Sequence, residues 1–146
     1  KENYFLDAGA YLVSKLLVEL AIARQSGKVI TDLIAALKEP KESEEYRLKI
    51  LSEDFQTYGN AVIQKLHDYI EAQAGWQAVP NNYEGIRVAC TSAEEDGWFL
   101  LRLSLHDPVL PLNIESNVAG GASKIKSRLL GFFDTMDALN ISSLQS

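Results

Sequence analysis

The chain is short of cysteine: Cys90 is the only one in 146 residues, so no disulfide framework and no multi-cysteine metal site is available to it. In "IRVAC", with nothing basic beside it, Cys90 reads as a small buried apolar residue. An excess of basic charge is missing too. The 14 Lys and Arg residues face 20 Asp and Glu, a net charge of −6, which argues against a general nucleic-acid partner because such proteins carry a basic field to replace phosphate counterions. No uninterrupted apolar run approaches the roughly 20 residues that cross a bilayer, so no membrane partner is expected. The phosphate-cradling G-x-x-x-x-G-K-[ST], the dinucleotide fingerprint G-x-G-x-x-G and the zinc motif H-E-x-x-H are all lacking, as are internal repeats and low-complexity tracts. There is no secretory signal. The first residue is Lys1 rather than Met, and we expect a piece of a longer protein whose targeting segment, if any, is lost.

What is present is a composition, 47% hydrophobic and 23% charged, that suits one globular domain or one domain with part of another. From Asp7, a plausible helix cap, the residues Leu12, Val13, Leu16, Leu17, Leu20 and Ala23 recur at steps of three and four, and Gly27 ends the pattern. In "VITDLIAALKEP", Thr31 would cap a second short helix bearing Leu33, Ile34 and Leu37, stopped by Pro40. The polar stretch Lys38 to Glu45, "KEPKESEE", reads as a linker or as a solvated loop. This divides the chain at residues 1–40 and 41–146.

Beyond the linker the period changes. "EYRLKIL" alternates Tyr46, Leu48 and Ile50 against Arg47 and Lys49, as a strand does. Helical spacing returns between Asp54 and Ala74, in Phe55, Tyr58, Val62, Ile63, Leu66, Tyr69 and Ile70. Three further strands follow in "EGIRVAC", "GWFLLRLSL" and "VLPLNIES", and "GGASKIKSRLLGFFDTM" closes the pattern with a helix opened by its glycines and Ser123. The expected class is α+β: a small, mostly antiparallel four-stranded sheet covered by two helices and preceded by a helical segment.

Most chemistry-bearing side chains have a structural explanation. His67 sits on the polar side of the long helix, Asp54 at its start, and Glu94, Glu95 and Asp96 in a hairpin turn. Trp76, Tyr83 and Trp98 read as core anchors. The exception is "GWFLLRLSLHDPVLPLNIES", where Arg102, Ser104, His106 and Asp107 interrupt an apolar strand pair. An Arg and a Ser two apart on a strand share a face. At the strand end their planar fork of N–H donors and their hydroxyl suit a phosphate. The ordinary alternative pairs Arg102 with a nearby acid and Ser104 with backbone.

Those residues carry a family resemblance. Glu84-Gly85, Gly97-Trp98, Arg102-x-Ser104, Asp107-Pro108 and Glu115 resemble, in order, the strand start, the turn, the phosphate-binding loop with its acidic-proline end, and the strand end of the C-terminal domain of the α-D-phosphohexomutases. That group includes phosphoglucomutase, phosphomannomutase and phosphoglucosamine mutase. "ENYFLDAGAYLVSKLLVELA" resembles the segment leading into the last helices of the third family domain, and the loop variant "SLHDPVLPLNIES" is similar to plant-plastid and cyanobacterial mutase-like sequences. The resemblance implies that residues 1–40 are the tail of the third mutase domain and residues 41–146 the fourth domain.

The resemblance also implies an activity for the whole protein: intramolecular phosphoryl transfer on a hexose or hexosamine phosphate through a phosphoserine and a bisphosphorylated sugar. This chain would lack the phosphoserine, the magnesium site and the sugar loop, and would be inactive alone. Arg102, Ser104, His106 and Asp107 would bind the substrate phosphate that is not transferred. The implied partners are a sugar phosphate and the remaining domains of the same chain, the implied cofactor is magnesium held elsewhere, and the implied compartment is the cytoplasm or the plastid stroma. Leu105-His106 stands where the family usually has Asn-Thr. That departure leaves open an inactive mutase-like interaction or regulatory module, or an unrelated small binding domain.

Overall fold

The structure, a computed structural model, describes residues 9–145, and the expected cap at Asp7 lies outside them. The chain divides into two compact units, Lys1–Lys38 and Glu39–Ser146. In the first, helix α1 spans Gly9–Gln25. It ends as the sequence leads one to expect: Gly27 takes φ +70°, and the amides of Gly27 and Lys28 bond back to the carbonyls of Arg24 and Ala23, a left-handed cap that glycine adopts without strain. Only Ala23 of α1 is buried, while Leu12, Leu17, Val18 and Ile22 stand exposed. The expected second helix is a single 3-10 turn, Ile30–Leu33. The β-branched run Val29, Ile30 and Thr31 disfavours α-helix, and Asp32, rather than Thr31, secures the turn by accepting the Val29 amide at 2.9 Å.

The second unit is one antiparallel sheet with helices on one face. Strand β1 is Glu42–Ile50, α2 Phe55–Glu71, β2 Trp76–Ala78, β3 Ile86–Cys90, β4 Gly97–Leu101, β5 Val109–Ser116, α3 Gly121–Phe133, β6 Leu139–Asn140 and α4 Ser142–Gln145. The strand order is β2-β3-β4-β5-β1-β6, with every neighbour antiparallel. The class is α+β as expected, but the sheet has six strands instead of four. The two extra strands, β2 and β6, are three and two residues long, too short for an alternation to register. Strand β1 also begins inside the expected linker, because Glu42 to Glu45 pair with Ser116 to Asn113 of β5.

Alternation assigns the two faces. Leu48, Val88, Phe99, Leu101, Leu110, Leu112 and Ile114 are buried against Val62, Leu66 and Ile70 of α2 and Ile125, Leu129 and Phe133 of α3. The opposite face carries Arg47, Lys49, Arg87, Trp98 and Asn113, all exposed or half-buried. Asp54 caps α2 through the Thr57 amide at 3.1 Å. Of the glycines and Ser123 expected to open α3, Gly120 is the cap, at φ +78°, and the Glu42 carboxylate of β1 accepts the amides of Gly120 at 2.6 Å and Ala122 at 2.9 Å. Glu95 lies in the hairpin turn, as expected, and there it is 4% exposed. Its carboxylate holds Arg128 Nη1 at 2.7 Å and accepts the Trp76 indole N–H at 3.0 Å, tying α3 and β2 to the β3–β4 turn. Cys90 is buried as expected, and burial pushes its thiol up to about 12.

Candidate functional site

The polar interruption begins where the ladder between β4 and β5 fails. Leu101 pairs with Leu112, and the next residue, Arg102, still donates its amide to the Pro111 carbonyl at 3.1 Å. Proline has no N–H to return the bond. Regular strand therefore ends at Leu101, and residues 102–108 leave the end of β4 as a loop whose ends stay tied, since the Ser104 amide reaches the Val109 carbonyl at 3.1 Å.

All four expected site residues, Arg102, Ser104, His106 and Asp107, line one cleft of about 900 Å³ at this loop. The acid partner considered for Arg102 is not there. Although Glu84 and Asp107 border the same cleft, no carboxylate among the described residues lies within 4.0 Å of the Arg102 guanidinium. Ser104 accepts the Asp107 amide at 3.2 Å, which shapes the loop and leaves its own hydroxyl hydrogen with no acceptor among the described residues. His106 and Asp107 are exposed. The cleft thus presents an unpaired planar cation and a free hydroxyl donor, a pairing suited to an oxyanion.

The residues that sequence reasoning missed come from elsewhere in the fold. Arg47 of β1, Gln56 and Asn60 of α2, and Tyr83 line the cleft as well. Tyr83 is 92% exposed and is no core anchor. It lies on the chain between β2 and β3, where no strand period indicates a face. Trp76 is buried as expected, whereas Trp98 is only half-buried and carries the Arg87 guanidinium 4.4 Å above its ring. Gly85, at φ +89°, packs against the Leu101 carbonyl and the Arg102 backbone. His67 lies on the exposed side of α2, with Nδ1 4.0 Å from Asp68. Among the described residues no group of three or more His, Cys, Asp or Glu side chains is placed to hold a metal ion, and no helix is long and apolar enough to cross a membrane.

The second unit is an open-faced antiparallel α+β domain with an anion-suited loop at the end of a central strand. No family model matches the chain, and no curated protein is matched by it. Among solved structures it is similar to a phosphoglucomutase/phosphomannomutase family protein from Burkholderia thailandensis, with 22% identity and a TM-score of 0.57 over 92% of this chain. The chain spans 25% of the length of that protein. At this identity the likeness is one of fold.

Proposed function

We propose that the chain is the C-terminal part of a phosphohexomutase, with residues 1–40 the tail of its third domain and residues 41–146 its fourth, and that the 102–108 loop binds the phosphate of a hexose or hexosamine phosphate that is not transferred. The observation that carries this reading is the Arg102 guanidinium, lining the cleft with no acid partner among the described residues, together with the Ser104 hydroxyl, which accepts the Asp107 amide and keeps its own hydrogen to donate. The likeness in fold to a mutase-family protein supports it. Phosphoryl transfer is catalysed chiefly by positioning and charge stabilisation. In this role Arg102 and Ser104 grip one end of the sugar while chemistry proceeds at the other, where residues of the remaining domains supply the phosphoserine and hold magnesium. His106 and Asp107 shape the mouth of the loop.

Titrating the chain with glucose 1-phosphate, followed by NMR, tests the loop directly. Arg102→Ala is expected to weaken binding by about 1.5–3 kcal/mol, the range for losing a charged hydrogen-bond partner, and Ser104→Ala by less. Equal affinities for wild type and Arg102→Ala reject the assignment. One observation favours a second reading: Leu105, 80% exposed in the same loop, offers an apolar side chain where a phosphate loop gains from another donor. On that reading the domain is an inactive, mutase-like interaction or regulatory module. A phosphoserine loop in the preceding sequence favours the enzyme, and its absence favours the module.

A further inference from the structure

Resting on the reading of the 102–108 loop as a phosphate site, we propose that Arg47 of β1 is the second cation of that site, and that the phosphate sits over Pro111 between two guanidiniums. The placement follows from register. Pro111 pairs with Arg47 on one side and takes the Arg102 amide on the other, so Arg47 of β1, Pro111 of β5 and Arg102, the first residue beyond β4, form one row. Directly paired residues of antiparallel strands share a face. The neighbours Tyr46 and Leu48 turn toward the core, which puts Arg47 on the face away from the helices. Two strand spacings separate the backbones of the two arginines by about 10 Å, a span that two extended arginine side chains close onto one tetrahedral anion. Pro111, which borders the same cleft, has no side-chain donor or acceptor to compete for the anion.

The electrostatics agree. The ion pair that Arg47 makes is with Glu45, two residues away on the same exposed strand, through Nε at 3.4 Å, with the two side chains 70% and 54% exposed. A contact of that length and exposure holds little, and among the described residues the terminal guanidinium nitrogens make no ion pair within 4.0 Å. Both arginines border the same cleft. Two guanidiniums converging on one anion are balanced by a dianionic phosphate monoester better than by a singly charged carboxylate, so the pair selects for charge as well as shape.

The full chain, titrated by NMR with inorganic phosphate and with glucose 1-phosphate, tests this with variants Arg47→Gln, Arg102→Ala, Glu45→Gln and, as a charge control outside the cleft, Lys65→Gln. Arg47→Gln is expected to weaken both ligands about five- to tenfold, Glu45→Gln to tighten them, and Lys65→Gln to leave them unchanged, with the amide spectrum of the fold retained throughout. If Arg102→Ala weakens binding while Arg47→Gln matches wild type, Arg47 is not part of the site although the loop is. If Arg47→Gln and Lys65→Gln weaken binding alike, the effect is one of net charge and the proposal is overturned. If neither Arg102→Ala nor Arg47→Gln changes the affinity, the loop reading fails and the proposal goes with it.

Discussion

A Cβ added to Gly85 would collide with the Leu101 carbonyl oxygen and approach the Arg102 Cα to 2.7 Å, on a backbone already at φ +89°. Neither neighbour is a flexible side-chain tip, so an alanine must displace the backbone that aims Arg102. We expect Gly85→Ala to lower stability by about 1–3 kcal/mol, from the left-handed strain and the clash together. It should also weaken phosphate binding although Gly85 has no donor to lose. Thermal melts and the phosphate titration, run on the same sample, check both, and a variant that melts lower yet binds normally would detach Gly85 from the loop. At this scale Arg102 and Ser104 were legible because polar residues in an apolar strand are costly unless something employs them. Arg47 was not, because its relation to the loop exists only through the β1–β5 register. Tyr83 was misjudged because an aromatic in a loop carries no periodic sign of which side it faces.

Among the elements, α3 depends on a residue remote from it. Glu42, at the first position of β1, fills the amides at the helix start where Gly120 has no side chain to do so. The hydrogen bonds from Gly120 and then Ala122 hold its carboxyl below the usual range. Because the folded-state value is the depressed one, the stabilisation is present above the unfolded value and is lost as pH falls through the folded one. Glu42→Gln should therefore melt lower than wild type near neutrality, with the gap narrowing on acidification from about pH 5 to 3. A gap independent of pH would mean that the carboxylate charge is irrelevant to the cap. The long elements α2 and β5 could be read from spacing alone, since Val62, Leu66 and Ile70 repeat every four residues and β5 runs for eight. The Glu42 cap could not be, because "KEPKESEE" has the composition of a linker and nothing local marks one of its glutamates as a helix cap.

For the whole molecule, every residue of the principal core cluster lies between Tyr46 and Leu144, inside the second compact unit. Residues 39–146 should therefore unfold cooperatively by themselves. Deleting residues 1–38 is expected to remove the circular-dichroism signal of α1 and to keep a single sharp melting transition. A broad, non-cooperative melt of the shortened chain would show that the boundary is drawn in the wrong place.

The same sheet that opens a polar face to the cleft has two lateral borders: β2, three residues long, on one side, and on the other β6, two residues long, which pairs only with Lys49 and Ile50 and leaves Glu42 to Leu48 of β1 as the rest of the border. Unpaired strand borders are templates for another chain's backbone, and long flat ones lead to aggregation. That stretch of β1 carries Glu42, Glu44, Glu45 and Arg47, and the Ser143 hydroxyl of α4 donates to the Arg47 carbonyl at 3.3 Å. Charges along a border and a helix set against it discourage a neighbouring molecule from extending the sheet, so this border is guarded by its side chains rather than by being short.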